Sequence, residues 1–297
     1  MTGEKIKTAI LKTEVLKFSS DFFVSKGFHW LLPKILSPIT DPLWPDPAEQ
    51  GIEPLEVEIK TYGQKYRLMH SMILHKQVAV SMRIDKLFIL SPNIRVEARK
   101  PDGWHAFEFT QLDFEAKNWT QYHVMDLLTE YLEKLTEHLD KKELIDKHEK
   151  PYRYFKKSQF KHYTWKEVLE KYGSDKTLLE KEEKPFFITS IPREFYDYED
   201  PRTGIWHNYD LYIPPWGEVS SGAEREWEYD KIIEKIKKGG LKPEEFEPYL
   251  RLAKEGKLKP TAGAGIGMER IITVFLGADD IEKAQVFPRI PYKSVVI

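Results

Sequence analysis

Cysteine is absent from all 297 residues. That excludes disulfides, thiolate metal sites and the usual thiol nucleophile for releasing ammonia from glutamine. Long apolar runs are missing too. The start, MTGEKIKTAILKTEV, has no apolar core of signal-peptide length, and no later run approaches a membrane span. The expectation is a soluble, cytoplasmic protein. An excess of one charge is also lacking. With 46 basic and 48 acidic side chains the formal net charge is −2, which gives no global attraction for nucleic acid. No internal repeat is visible. Present instead are 41% apolar and 13% aromatic residues, enough for a sizeable core. Charged residues reach 32%, dominated by Lys and Glu, a usage that fits a thermophile protein.

Residues 5–26 carry Ile6, Ala9, Ile10, Val15, Leu16, Phe18, Phe22 and Phe23 at helical spacing, and Gly27 closes that helix. Residues 28–36 read as extended and the proline-rich 38–54 as an ordered loop. Strand patterns follow at 55–60, 65–69, 86–90, 94–99 and 105–115, with a helix over 71–81. Val124, Leu127, Leu128, Tyr131, Leu132, Leu135 and Leu139 share one face of a helix over 120–140. From 141 to 184 Lys and Glu dominate, which predicts a helical insertion with a solvated face. Strands at 185–190 and 205–213, helices at 224–238 and 243–255, a strand at 260–268 and a helix at 268–277 complete an α+β pattern.

The most specific stretch is GAGIGMER, Gly263 to Arg270, followed by an apolar run and then Phe287-Pro288-Arg289. Alternate glycines let a backbone pass close to a flat ligand, and Arg270 follows beside that surface. Upstream, IRVEARKPDGWHAFEFTQLDFE at 94–115 reads as a strand, a PDG turn and a returning strand. Period two puts Arg95, Glu97 and Arg99 on one face of the first strand.

The glycine stretch resembles the third motif of the class II aminoacyl-tRNA synthetases. The hairpin resembles the second motif of their aspartyl and asparaginyl subgroup, and the helix and strand ending at Pro33 fit the first. RLMHSMILHKQ at 67–77, PFFITSIP at 185–192 and GEVSSGAEREWEYD at 217–230 are similar to further segments of that subgroup, in the same order over 15–297. Within the family the chain most resembles a stand-alone branch, the archaeal asparagine synthetases related to asparaginyl-tRNA synthetase. The resemblance implies a class II synthetase-like antiparallel sheet flanked by helices. It also implies a single catalytic domain over 1–297 with no anticodon-binding domain.

By the resemblance, Arg95 meets the α-phosphate and the acyl oxygen of an ATP-derived adenylate, Phe109 lies under adenine and Arg270 over it. Glu97, His105 and Gly267 join the nucleotide contacts. Asp210 and Glu218 are the implied Mg2+ ligands, carboxylates of the type hard cations take. Arg95, Arg270 and Glu218 form the implied catalytic set. Trp104 departs from the pattern, standing where the subgroup has Arg. The implied amino-acid pocket contains Lys76 and Arg225, with Asp113 orienting Lys76, Glu49 on the substrate ammonium and Ser71 nearby. Lys76 and Arg225 together are of the aspartyl type. Two cations at one site call for an anion, because an amide would leave them unpaired. His70, Ile73 and Glu224 also depart from the subgroup, at positions expected around the substrate's amino group.

The implied activity is AMP-forming synthesis of asparagine from aspartate and ammonia through a β-aspartyl adenylate, using ATP and Mg2+. Glu218 and Glu224 both stay open as the base for ammonium. A homodimer formed through the first motif is implied as well. tRNA is not an expected partner, since the core lacks a basic surplus, although 148–163 is locally basic and aromatic. Two alternatives remain: a truncated ligase activating the α-carboxylate for tRNA or protein, and a non-catalytic regulator that binds adenylate. Against the regulator stands the joint presence of Arg95, Asp210, Glu218 and Arg270.

Overall fold

The computed structural model describes residues 3–42, 58–96 and 101–294. Helix α1 (Gly3–Ser25) precedes the short strands β1 (His29–Trp30) and β2 (Leu36–Ser37). Among the described residues, strands β3 (Glu58–Thr61) and β4 (Gln64–Leu68) form a hairpin that joins β2 in a three-stranded sheet. Helix α2 (Ile73–Met82) leads to β5 (Lys86–Ile94), β6 (Glu108–Lys117) and the long α3 (Gln121–Lys141). Then come β7 (Lys161–Thr164), α4 (Trp165–Tyr172), α5 (Asp175–Lys181), β8 (Phe186–Thr189), β9 (Asn208–Ile213) and β10 (Gly217–Glu224). Helices α6 (Tyr229–Lys238) and α7 (Glu247–Lys254), strand β11 (Thr261–Gly267) and helix α8 (Met268–Leu276) follow. Among the described residues the main sheet has eight strands in the order β1-β5-β6-β11-β10-β9-β8-β7. Its end pairs β1–β5 and β7–β8 are parallel and the pairs between them antiparallel.

Period-two alternation gives this sheet two chemically different faces. One carries Phe88, Leu112, Phe114, Leu211, Ile213, Ala262, Ala264 and Ile266, buried against α1, α3 and α8. The expected α3 stripe from Val124 to Leu139 is buried there, and His123 hydrogen-bonds Thr120 across the helix start at 2.9 Å. Helix α1 ends as its sequence predicts: Gly27 takes φ +81°, and the Phe28 amide returns to the Phe23 carbonyl. Its apolar residues do not share one face, however. Leu11, Val15, Phe22 and Phe23 meet the core, whereas Ile6, Ile10, Leu16 and Val24 are exposed.

The opposite face is lined by small and polar side chains from β6, β9, β10 and β11. Helix α2 covers its β5–β6 end through Met72, Val80, Leu87 and Ile89, and α6 and α7 form a second wall around Ile232, Ile236, Tyr249 and Leu250. The structure differs from the sequence reading in three places. The strands expected at 86–90 and 94–99 are one strand, β5, which ends at Ile94 and leaves Arg95 just past it. Strand β10 is unforeseen, because GEVSSGAE has poor strand propensity and is held by pairing with β9 and β11 on its two sides. The 141–184 segment is also more than a solvated helical insertion. It supplies edge strand β7 and sends Leu144, Tyr152, Phe155 and Phe160 into the main core. Among the described residues no helix is long and apolar enough to cross a membrane.

Candidate active site

Strand register builds the site in rows. Asp113, Gly265, Ser221 and Asp210 are successive neighbours across β6, β11, β10 and β9; Glu115, Gly263, Ala223 and Asn208 form the next row. Glycine is required at 263, where a Cβ would lie 2.1 Å from both Glu115 Oε2 and the Phe114 carbonyl oxygen. Glu115 uses that space to accept from Thr261 Oγ1 at 2.6 Å and from Arg225 Nε at 3.3 Å. Arg225, just past β10, also donates from Nη1 to Asp197 Oδ1 at 2.9 Å and from Nη2 to the Gly263 carbonyl at 3.1 Å. From α2, Lys76 donates to Asp113 Oδ1 and the Ala264 carbonyl, each at 2.9 Å, with Glu115 Oε2 at 3.9 Å. All five charged side chains are at most 3% exposed.

Lys76 and Arg225 therefore meet at one place, but neither is unpaired. This corrects the sequence argument that two lone cations demand an anion. Asp113, Glu115 and Asp197 already surround them, and with all five groups ionised the cluster carries one surplus negative charge.

At the other end of the face, Arg95 leaves β5 with its Nε donating to the His70 carbonyl at 3.0 Å. Its guanidinium sits 5.3 Å from the centre of the Phe109 ring, so these two expected nucleotide contacts are adjacent. Arg270, in the first turn of α8, donates from Nη1 to the Glu218 carbonyl at 2.8 Å and lies 3.4 Å from its Oε1. The Arg270 guanidinium stacks on Trp104 at 5.4 Å, and Trp104 Nε1 donates to the same carbonyl at 3.3 Å. A Cβ on Gly267 would stand 3.3 Å from Arg270 Cδ. The space over Gly267 accommodates the Arg270 stem. His105 Nδ1 pairs with Asp102 at 2.6 Å, and Ser71 Oγ accepts the Ile73 amide at the start of α2. Glu49 and Glu97 lie outside the described residues.

Asp210 and Glu218 lie close together across β9 and β10, where a register shift falls between Glu218 and Ser220. Arg193 donates to Asp210 Oδ2 and to Ser221 Oγ, while Asp210 Oδ1 is buried with no hydrogen-bond partner. Burial, opposed by Arg193 and reinforced by Glu218, pushes the Asp210 carboxyl up to about 6. An orphaned carboxylate oxygen beside a second, partly exposed carboxylate fits a hard cation such as Mg2+. Among the described residues no three or more His, Asp or Glu side chains form a metal cage. An ion here would take its other ligands from nucleotide phosphates and water.

Sequence reasoning misses Arg193, Glu194 and Asp197. Their only signal is a set of charges around Phe195-Tyr196, directly after PFFITSIP. Glu224, in contrast, is on the wrong face. Its Oε1 accepts the Gln121 amide of α3 at 3.1 Å and lies 3.3 Å from His207. This removes Glu224 as a base for ammonium and as a residue near the substrate's amino group.

Residues 2–291 match the family model of the class II tRNA synthetases (D, K and N). The chain belongs to this family. As a class II synthetase core it is similar to the asparagine–tRNA ligase of Thermococcus kodakarensis, 29% identical over 95% of this chain and 69% of the relative. The aspartate–tRNA(Asp) ligase of Pyrococcus abyssi is 30% identical over 94% of this chain and 67% of its own. The crystal structure of asparaginyl-tRNA synthetase from Pyrococcus horikoshii complexed with asparaginyl-adenylate aligns with a TM-score of 0.84 at 25% identity, covering 99% of this chain and 70% of that one. The mixed sheet with flanking helices is thus the class II synthetase catalytic fold.

Proposed function

We propose that this class II core is an AMP-forming asparagine synthetase using aspartate, ammonia and ATP. The observation that carries the reading is the buried Lys76–Asp113 pair beside Arg225, a charged amino-acid pocket on the same sheet face as Arg95, Phe109 and Arg270. Aspartate enters with its α-carboxylate toward Arg225 and Lys76 and its β-carboxylate toward Arg95. A β-carboxylate oxygen attacks the α-phosphorus of ATP, the bond to the β,γ-unit breaks and pyrophosphate leaves. Ammonia attacks the acyl carbon of the β-aspartyl adenylate, the acyl–oxygen bond breaks, and AMP departs as the nitrogen loses a proton to a base. Of the two carboxylates considered for that role, only Glu218 is on this side of the sheet. Arg95 and Arg270 oppose the negative charge that builds on the transferring phosphate. Mg2+, held by Asp210 and Glu218, would neutralise the polyphosphate.

The relatives favour a second reading. They are named as tRNA ligases, and activation of the α-carboxylate for tRNA would use the same nucleotide face. Incubating the pure protein with Mg-ATP, aspartate and ammonium, without tRNA, separates the two. Asparagine forming in step with AMP, and only with ammonium, is the expected result. AMP or pyrophosphate exchange without asparagine would replace the synthetase reading with α-activation, and no turnover at all would favour a binding regulator. We also propose that the protein works as a homodimer.

A further inference from the structure

Arg225 has five N–H groups. Nε and Nη2 are engaged by Glu115 and the Gly263 carbonyl, and one Nη1 proton goes to Asp197 Oδ1 at 2.9 Å. The second Nη1 proton is left beside that carboxylate. Asp197 is itself partly used: Oδ1 accepts from Arg225 and Oδ2 from Asn208 Nδ2 at 3.1 Å. A carboxylate offers about four acceptor positions. A spare donor and a spare acceptor therefore lie side by side on one buried ion pair. Nearby, Asp113 Oδ2 is buried with no hydrogen-bond partner, on a side chain that is 1% exposed.

The orphaned acceptor and the surplus negative charge both call for a cationic donor in the pocket. A bare carboxylate ligand would reach Arg225 only by approaching Asp197 as well. An α-amino-acid head group has ammonium and carboxylate on neighbouring atoms and answers both needs. We propose that the Arg225–Asp197 pair recognises the zwitterionic head of aspartate, with Asp197 taking the α-ammonium and Arg225 the α-carboxylate. Asp113 Oδ2 is the second acceptor for that ammonium. Asp197 is then a specificity-determining residue. With the head group at the pocket floor, the β-carboxylate is the one that faces Arg95. This rests on the reading of the site as an aspartate-activating pocket.

The test compares calorimetric binding of L-aspartate with that of succinate, the same diacid without the amine, in the presence of a non-hydrolysable ATP analogue. The wild-type protein should bind aspartate about a hundredfold more tightly than succinate. Asp197→Asn should weaken aspartate by about 10- to 100-fold and remove most of that preference, and Asp197→Glu should restore part of it. Melting curves and binding of the ATP analogue report whether each variant folds. Unchanged aspartate affinity in folded Asp197→Asn overturns the proposal, as does a wild-type protein that treats succinate and aspartate alike. The second comparison needs no variant, so a wild-type protein without the preference overturns the proposal even if Asp197→Asn unfolds, and Asp197→Glu, which keeps the charge, then tests the assignment to Asp197. An effect of Asp197→Asn confined to aspartate against asparagine, with the succinate ratio unmoved, also overturns it. Loss of the amine preference in Asp197→Asn, alongside a wild-type protein that forms no asparagine, refutes the synthetase reading alone and upholds head-group recognition.

Discussion

Arg225 is the hydrogen-bonded cation of two buried carboxylates, Glu115 and Asp197, so its removal acts on folding before it acts on chemistry. Arg225→Ala would leave Asp197 charged and buried without its cation, and Glu115 with only Lys76, at 3.9 Å. Breaking a buried pair in this way costs about 3–5 kcal/mol. The variant should lose that much in a denaturant titration, and its lost activity would then be ambiguous. Arg225→Lys keeps the charge but not the planar fork. It should fold with a smaller loss and still bind aspartate poorly; an Arg225→Lys protein with wild-type aspartate affinity would remove Arg225 from the pocket. A different group sets a pH dependence. Burial first, then Asp41, with Arg193 opposing and Asp197 reinforcing, push the Glu194 carboxyl up to about 8 from its ordinary 4.5. Between those values the folded chain keeps a proton that the unfolded chain has released. Stability from this group therefore falls as pH rises through that window. The melting temperature of Glu194→Gln, relative to wild type, should climb from about pH 5 to about pH 9. A difference that stays constant across the range would show that Glu194 is not held protonated.

Strand β11 is the element on which the site depends, and its glycines are not equivalent. At 263 an added methyl meets backbone and a buried carboxylate oxygen at 2.1 Å. At 265 the nearest atoms are Gln111 Nε2 at 3.0 Å and Asp113 Oδ1 at 3.3 Å, both ends of side chains. Gly263→Ala should cost at least about 1–3 kcal/mol in urea unfolding. Gly265→Ala should fold with a smaller loss but disturb the seat of Lys76 and weaken aspartate binding. Equal stability losses for the two would contradict the close approach at 263. This strand also shows what a sequence can reveal. Alternating glycines, the apolar run after them and the α3 stripe are local patterns, and each forms the strand or helix expected of it. Strand β10 gave no such pattern, since Gly, Ser and Ala become a strand only between two partners. The neutralising carboxylates were hidden for a related reason. Asp197 meets Arg225 across 28 residues, and Glu115 meets it across 110, separations at which no spacing rule operates. Lys76 and Arg225 were legible as a pair, but their charge balance was not.

At the scale of the whole molecule, one surface is out of keeping with the rest. Among the described residues strand β1 pairs only with β5 and so forms an edge of the main sheet. Around it Trp30, Ile35 and especially Leu32, at 86% exposed, present apolar side chains, with exposed Val24 in the last turn of α1. Scattered exposed apolar residues are ordinary, but Val24, Trp30, Leu32 and Ile35 follow one another closely along the chain beside a sheet edge, which suits association. The proposed homodimer would cover them. Sedimentation at micromolar concentration should give twice the monomer mass. Leu32→Asp is the informative variant, because a side chain that exposed contributes almost nothing to the core of its own chain. It should shift the protein toward monomer while leaving the far-ultraviolet circular dichroism unchanged. A wild-type protein that sediments as a monomer would refute the dimer outright. A dimer indifferent to Leu32→Asp would place the interface elsewhere on the molecule.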